Sequence, residues 1–138
     1  MLGKKGKSFV TIMLVIAISA LLLRIIIQRW IAINIAQNES QASLTLKFIS
    51  TAIENYAKDN KGVYPQGLSV LTESQPAYLD KDYINNSPLK GYNFSCSRLD
   101  AAGYSCYAAP VNCKLTGKMV YNVTTGGLVI SEECQGKE

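Results

Sequence analysis

The sequence contains no histidine, and this absence narrows the chemistry that the protein can perform. Histidine is the side chain whose ordinary pKa best suits proton transfer near neutral pH, and it is the commonest metal ligand. The acids that could act in its place, Asp80, Asp82, Glu132 and Glu133, are scattered without a catalytic motif. We therefore expect a protein that is not an enzyme, with no catalytic residues and no resident cofactor.

The N-terminal part lacks proline and acidic residues, since the first proline is Pro65 and the first acid is Glu39. The segment Phe9–Leu23 carries no charge, and three isoleucines extend it beyond Arg24. This run of roughly 19 residues approaches the ~20 that a helix needs to cross a bilayer. No small-x-small cleavage pattern of a secretory signal peptide follows it. We predict a retained transmembrane helix, in which the two hydroxyl side chains are satisfied within the helix.

The basic residues of this part have no acidic neighbours in the sequence; they are Lys4, Lys5, Lys7, Arg24 and Arg29. From Trp30 onward nine basic residues face ten acidic ones, so the net charge of +4 belongs to the membrane end. We therefore expect no nucleic-acid partner. The lysines before the apolar segment predict a cytoplasmic N-terminus and an extracytoplasmic C-terminal part, although the two arginines on the far flank weaken this signal.

Cysteine is absent from the first two thirds of the chain, and its four occurrences are Cys96, Cys106, Cys113 and Cys134. Disulfides persist outside the cytoplasm, where the charge pattern places these residues. Zinc is the alternative, but the spacing contains no C-x-x-C pair and histidine ligands are missing. We therefore favour two disulfides and predict no metal site at the cysteines.

The helical pattern continues beyond Trp30 to about residue 60 and becomes amphipathic. Its apolar positions recur at steps of three and four and are widened by two further side chains; they are Ala42, Leu46, Ile49, Ile53 and Tyr56, with Leu44 and Phe48. Glu54 and Lys58 are predicted to pair on the outer side. A break is possible between Asn34 and Ser40, where poor helix formers cluster, and Lys61-Gly62 predicts the helix end.

The remainder predicts a short helix over 65–73, an ordered loop over 74–90 and a sheet over 91–134. Within the sheet, alternation and turn residues predict four antiparallel strands, at Gly91–Ser97, Tyr104–Ala109, Lys118–Thr124 and Leu128–Glu132. The long helix is the only extended cover for the apolar face of such a sheet. The predicted fold is therefore α+β, with a long N-terminal helix packed on a small four-stranded antiparallel sheet.

A meander of these strands makes one disulfide pairing testable. Cys96 faces Cys106 if the first turn centres near residue 101, and Cys113 and Cys134 emerge at the same edge of the sheet. We therefore predict Cys96–Cys106 and Cys113–Cys134, which is one of three possible connectivities.

The loop pair Asp80 and Asp82 could contact Ca²⁺, which favours carboxylate oxygens. A solvated pair of acids is the favoured reading, and calcium stays the alternative.

A basic leader ending in Gly6, an apolar helix, an amphipathic helix and a C-terminal sheet together resemble a type IV pilin or a type II secretion pseudopilin. The run L-V-I-A-I at Leu14–Ile18 is similar to the family's L-V-V-I-A-I. Asn34–Glu39 and Leu46–Ala57 resemble its N-x-A-x-x-E and L-R-x-I-x-T-A-x-E-x-Y-A stretches. Asp59–Pro65, D-N-K-G-V-Y-P, resembles D-x-x-G-x-Y-P and is the most specific part.

The resemblance implies a leader over residues 1–6, a transmembrane and filament-core helix over 7–30, and an extracytoplasmic head over 31–138. A prepilin peptidase would cut after Gly6 and leave Lys7 as the new, methylated N-terminus. The residues expected to pack in the filament core are Phe9, Thr11, Leu14, Ile16, Ile18 and Arg24. The chain departs from the family at Lys7, usually phenylalanine, at Thr11, usually glutamate, and at Gln28, often proline. These departures indicate a minor or divergent subunit.

Two functions remain open from the sequence. The first is a structural subunit of a pilus or secretion pseudopilus, held in the bacterial inner membrane and then assembled into a surface or periplasmic filament. Its expected partners are other pilin subunits, the prepilin peptidase and membrane lipid. The alternative is a single-pass anchor for an extracytoplasmic domain that does not polymerise.

Overall fold

The computed structural model describes residues 5–136, and this range contains two helices and four strands. Helix α1 spans Lys5–Asp59 and helix α2 spans Leu68–Glu73. The strands are β1 at Tyr92–Asp100, β2 at Gly103–Pro110, β3 at Met119–Thr124 and β4 at Val129–Glu133. The predicted α+β fold, with a long N-terminal helix and a four-stranded antiparallel sheet, is confirmed. The described range excludes residues 1–4, which belong to the expected leader and include Lys4. It also excludes residues 137–138.

Helix α1 continues through the segment where a break was considered possible. Asn38 there donates a side-chain hydrogen bond to the carbonyl of Thr116, at 3.0 Å, and Glu39 accepts one from the backbone N–H of Lys118, at 2.7 Å. A short polar side chain such as asparagine lowers helix propensity because it can compete for nearby backbone hydrogen bonds. The side chains of Asn38 and Glu39 instead bond the backbone of Thr116 and Lys118, and the helix continues without a break.

The chain divides into two compact units, with the boundary after Asn34. The unit beginning at Ile35 holds the core, and we call it the head. One face of α1 supplies Leu46, Ile49 and Ile53, which are fully buried against inward side chains of the sheet such as Tyr104 and Val123. Burial of each of these apolar side chains contributes roughly 1.5–3 kcal/mol to the stability of the folded state. The helix therefore packs over the apolar face of the sheet.

Two residues expected on this apolar face are not in the core. Leu44 is 59% exposed and Phe48 is 49% exposed. A helix advances by about 100° per residue, so Leu44 lies about 200° around the helix from Leu46 and points away from the sheet. Phe48 instead packs edge-on against Tyr83 of the loop, with ring centroids 6.4 Å apart.

The sheet is a simple meander in the order β1-β2-β3-β4, with every neighbouring pair antiparallel. Strand β1 is longer than predicted because a bulge between Cys96 and Arg98 lets it continue to Asp100. There the Asp100 carboxylate accepts hydrogen bonds from the N–H groups of Ala102 and Gly103, which closes the first turn. Arg98 holds the pKa of this carboxyl below its usual range.

Candidate functional site: an exposed apolar helix and the stapled head

The first part of α1 presents an apolar surface that no described residue covers. The large apolar side chains from Phe9 to Ile27 are each between 48% and 65% exposed. The most apolar 18-residue window of α1 has a mean hydropathy of 2.8, and this one helix is long and apolar enough to cross a membrane. Exposed apolar patches of more than a few hundred Å² mark interaction surfaces. Within the described structure this apolar surface is uncovered.

Two hydroxyl groups on this surface are satisfied within the helix, as predicted. The Thr11 hydroxyl donates to the carbonyl of Lys7 at 2.7 Å, and the Ser19 hydroxyl donates to the carbonyl of Val15 at 2.8 Å. Neither side chain carries charge. Thr11 therefore offers a neighbour no ion pair, in contrast to the glutamate of the resembled family.

The other sequence-predicted residues of this segment are Leu14, Ile16, Ile18 and Arg24, and all four are exposed. Arg24 forms no ion pair with any residue of the described range, where the only pair is Arg98–Asp100. A charged side chain within a membrane costs about 2.5–3.5 kcal/mol on insertion scales unless it finds a partner or the interface. The charge of Arg24 thus has no ion-pair partner among residues 5–136.

Gly6 and Lys7 lie in the first turns of α1, and both are exposed. A Cβ built on Gly6 would meet no heavy atom within 4 Å. Glycine costs a helix about 1 kcal/mol relative to alanine. The packing of the described chain therefore gives no reason for glycine at this position.

In the head, a cluster centred on Glu54 ties α1 to the sheet. Oε1 of Glu54 accepts hydrogen bonds from the Tyr104 hydroxyl and the Gly126 N–H, both at 2.8 Å. Oε2 accepts one from the Tyr64 hydroxyl at 3.2 Å. The Tyr104 hydroxyl also lies 2.9 Å from that of Ser50. This carboxylate thus joins the helix to β2, to the β3–β4 turn and to the segment after the helix.

The predicted surface pair of Glu54 with Lys58 is wrong. Glu54 is half-buried because it lies four residues after Ser50 and three before Ala57, which are both buried. Burial raises the pKa of Tyr104, and the neighbouring Glu54 adds to the shift. The small residues Ser50 and Ala57, which flank Glu54 along the helix, were the available sequence signal for its burial, and nothing in the sequence indicated its bonding partners.

A second set of contacts in the head is centred on Tyr92, which packs against the segment before β3. Its side chain is buried and its hydroxyl donates to the carbonyl of Met119 at 2.7 Å. A Cβ on Gly117 would overlap the Tyr92 ring and hydroxyl, so only glycine fits there. Burial raises the pKa of Tyr92. With the bonds of Asn38 and Glu39, this contact fixes the β2–β3 connection to the helix.

The four cysteines form the pairs Cys96–Cys106 and Cys113–Cys134, the connectivity expected from the meander. Cys96 and Cys106 are direct cross-strand partners on β1 and β2. Cys113 follows β2 and Cys134 follows β4, so the second bond joins two chain segments at one end of the sheet.

The carboxylates considered for Ca²⁺ are used by their own loop. Asp80 accepts a hydrogen bond from the Tyr83 hydroxyl at 2.8 Å. Burial, together with this bond, raises the pKa of Tyr83 to about 12. Asp82 accepts bonds from the N–H groups of Ile84 and Asn85, at 3.0 and 3.1 Å. Residues 5–136 contain no group of three or more acidic or cysteine side chains arranged to hold a metal.

No protein-family model matches the chain, and no curated protein matches it either. The resemblance to pilins therefore stays a prediction that depends on the residues quoted above.

Proposed function

We propose that this chain is a structural subunit of a type IV pilus or a type II secretion pseudopilus, minor or divergent rather than major. In this proposal the apolar surface of residues 9–27 first lies in the bacterial inner membrane, with the head outside the cytoplasm. During assembly, helices of neighbouring subunits replace the lipid around it. The observation that carries the proposal is an uncovered apolar helix surface in a chain whose other compact unit, the head, has its own packed core.

Three further features support this function. The motif from Asp59 to Pro65 resembles the family's most specific segment. Gly6 has no packing role in the described fold, which suits a residue read by a prepilin peptidase. The head contains two disulfides, which suits an extracytoplasmic compartment. A carbonyl or carboxylate from a neighbouring subunit would then satisfy Arg24.

A single-pass anchor that does not polymerise is the second candidate, and Thr11 favours it. Threonine has no carboxylate that could pair with a neighbouring subunit and set its register. Its hydroxyl is also already bonded to the carbonyl of Lys7. A buried ionic pair is a specific registry device in an apolar environment. If no other group takes the place of that ion pair, the helix anchors the head in the membrane and does not assemble into a filament.

The two functions differ in the N-terminus and in the physical state of the protein. We would express the full chain in its native cells and measure its intact mass in the membrane and sheared-surface fractions. The proposed subunit should lose residues 1–6 and appear in filaments by immunolabelled electron microscopy. Gly6→Val should block both processing and filaments, whereas Gly136→Val, where a Cβ also meets nothing within 4 Å, should block neither. An uncut, membrane-bound chain without filaments would establish the anchor.

A further inference from the structure

The head has a groove lined by two lysines on the side of strand β1. We call it the lysine groove; it has a volume of about 220 Å³, and its charged and apolar lining includes Lys81, Lys90, Tyr83, Leu89 and Phe94. No acidic side chain lines it. The nearby carboxylates of Asp80 and Asp82 accept hydrogen bonds from residues 83–85 of their own loop.

A second groove carries two glutamates on the side of strand β4. We call it the glutamate groove; it has a volume of about 620 Å³, and its charged and apolar lining includes Glu132, Glu133, Pro110, Val111 and Val120. No basic side chain lines it. Val111 is 45% exposed there, so an apolar surface lies beside the two acids.

The charged residues of the two grooves lie at opposite edges of the sheet and near the same end of it, and the lining of the glutamate groove extends across β3 to Pro110 of β2. Strands β1 and β4 are the outer strands of the four-stranded order. The register places Phe94 opposite Ala108, Ala108 opposite Tyr121, and Tyr121 opposite Ser131. Phe94 of the lysine groove and the residue before Glu132 therefore belong to one cross-strand row. Two heads placed side by side bring unlike grooves together at the same level.

None of the four groove charges has an ion-pair partner within residues 5–136, where Arg98–Asp100 is the only pair. Opposite charges across an interface set its register and reject wrong partners. Each groove also offers apolar side chains beside its charges, which matches the apolar centre and polar rim of protein interfaces. The charges of the two grooves are complementary to each other and not to themselves.

We propose that the lysine groove of one copy docks against the glutamate groove of a second copy. This inference rests on the proposed function, for which it supplies the lateral contact between heads. Because the two surfaces differ, each docked pair leaves one groove of each kind free. Such a heterologous contact repeats from copy to copy and generates an open array if it does not close into a ring.

Charge reversal tests which surfaces meet. Lys81→Glu with Lys90→Glu should lower the yield of sheared filaments by about tenfold or more, because like charges would face each other. Glu132→Lys with Glu133→Lys should do the same, and all four changes together should restore the yield. The matched control reverses two exposed charges outside the grooves, Lys58→Glu with Glu73→Lys, and should leave the yield unchanged.

Wild-type yield from either double variant would overturn the inference. Folded variants, checked by their disulfides, that stay filament-free even when all four charges are reversed would also overturn it. A loss caused only by the lysine changes would assign that groove to another acidic partner.

A second experiment separates this inference from the proposed function. Membranes holding mixed ¹⁵N-labelled and unlabelled full-length chains would be treated with a carbodiimide, which joins lysine amines directly to carboxylates. Mass spectrometry should find mixed-label cross-links from Lys81 or Lys90 to Glu132 or Glu133. Filaments without these cross-links would refute the groove contact alone. Cross-links without filaments would refute the proposed function alone, and the absence of both would refute both.

Discussion

Replacement of Glu54 by glutamine tests whether one half-buried carboxylate holds the head together. The carboxylate accepts two hydrogen bonds of 2.8 Å and one of 3.2 Å. Hydrogen bonds to a charged group contribute about 1.5–3 kcal/mol each, and neutral ones about 0.5–1.5 kcal/mol. Glutamine keeps one carbonyl oxygen for Tyr104 and Gly126 but places an amide near Tyr64. We therefore expect Glu54→Gln to lower the free energy of unfolding by about 2 kcal/mol, as two charged bonds become neutral.

Glu54→Ala should cost more, about 3 kcal/mol, because it also leaves the N–H of Gly126 without its partner. The matched control is Glu73→Gln, since Glu73 is exposed at the end of α2 and should change stability by less than about 0.5 kcal/mol. The double variant with Tyr104→Phe should cost less than the sum of the single changes, because the two side chains share one bond.

The measurement is urea unfolding of the full chain in detergent micelles, followed by near-ultraviolet circular dichroism of tyrosine. All eight tyrosines lie at or beyond Tyr56, so their signal reports on the head. If Glu54→Gln unfolds at the same urea concentration as Glu73→Gln, the cluster makes no net contribution and the reasoning is refuted. The same conclusion follows if the costs of the Glu54 and Tyr104 variants simply add.

Two other predictions address the packing and the titration of the head. Gly117→Ala should lower the free energy of unfolding by about 1–3 kcal/mol because its methyl group overlaps Tyr92. Gly136→Ala, whose Cβ would meet nothing within 4 Å, should not lower it, and equal urea midpoints for the two variants would contradict this prediction. The folded pKa of Tyr83, about 12, lies above its ordinary value near 10, so stability should fall as the pH rises through 10 to 12, where the unfolded tyrosine ionises first. Tyr83→Phe should reduce this fall in a series of unfolding curves, and an unchanged slope would rule out that contribution.

The sheet was predictable from the sequence because its signals are local. Turn residues and two-residue alternation mark the strands, and the meander then places Cys96 beside Cys106 without further information. The bounds differ by at most three residues, chiefly at the end of β1. There the bulge and the Asp100 turn depend on a side chain capping backbone N–H groups, which alternation does not reveal.

The roles of polar residues on α1 were harder to predict because their partners are distant in sequence. Glu54 bonds Gly126, 72 residues away, and Glu39 bonds Lys118, 79 residues away. A helix pattern assigns such residues to the outer face by charge alone. The same limit applies to Phe48, which its apolar character assigned to the core although it packs on the loop.

The two covalent bonds between cysteines have a consequence for proteolysis. The tip of the first hairpin, Ala101-Ala102, lies inside the ring closed by Cys96–Cys106. The exposed side chains of Leu115 and Leu128, on the other two connections of the sheet, lie inside the ring closed by Cys113–Cys134. A protease that cuts at Ala101-Ala102, at Leu115 or at Leu128 therefore breaks the backbone without releasing a fragment. The nicked head stays one molecule until a reductant opens the rings.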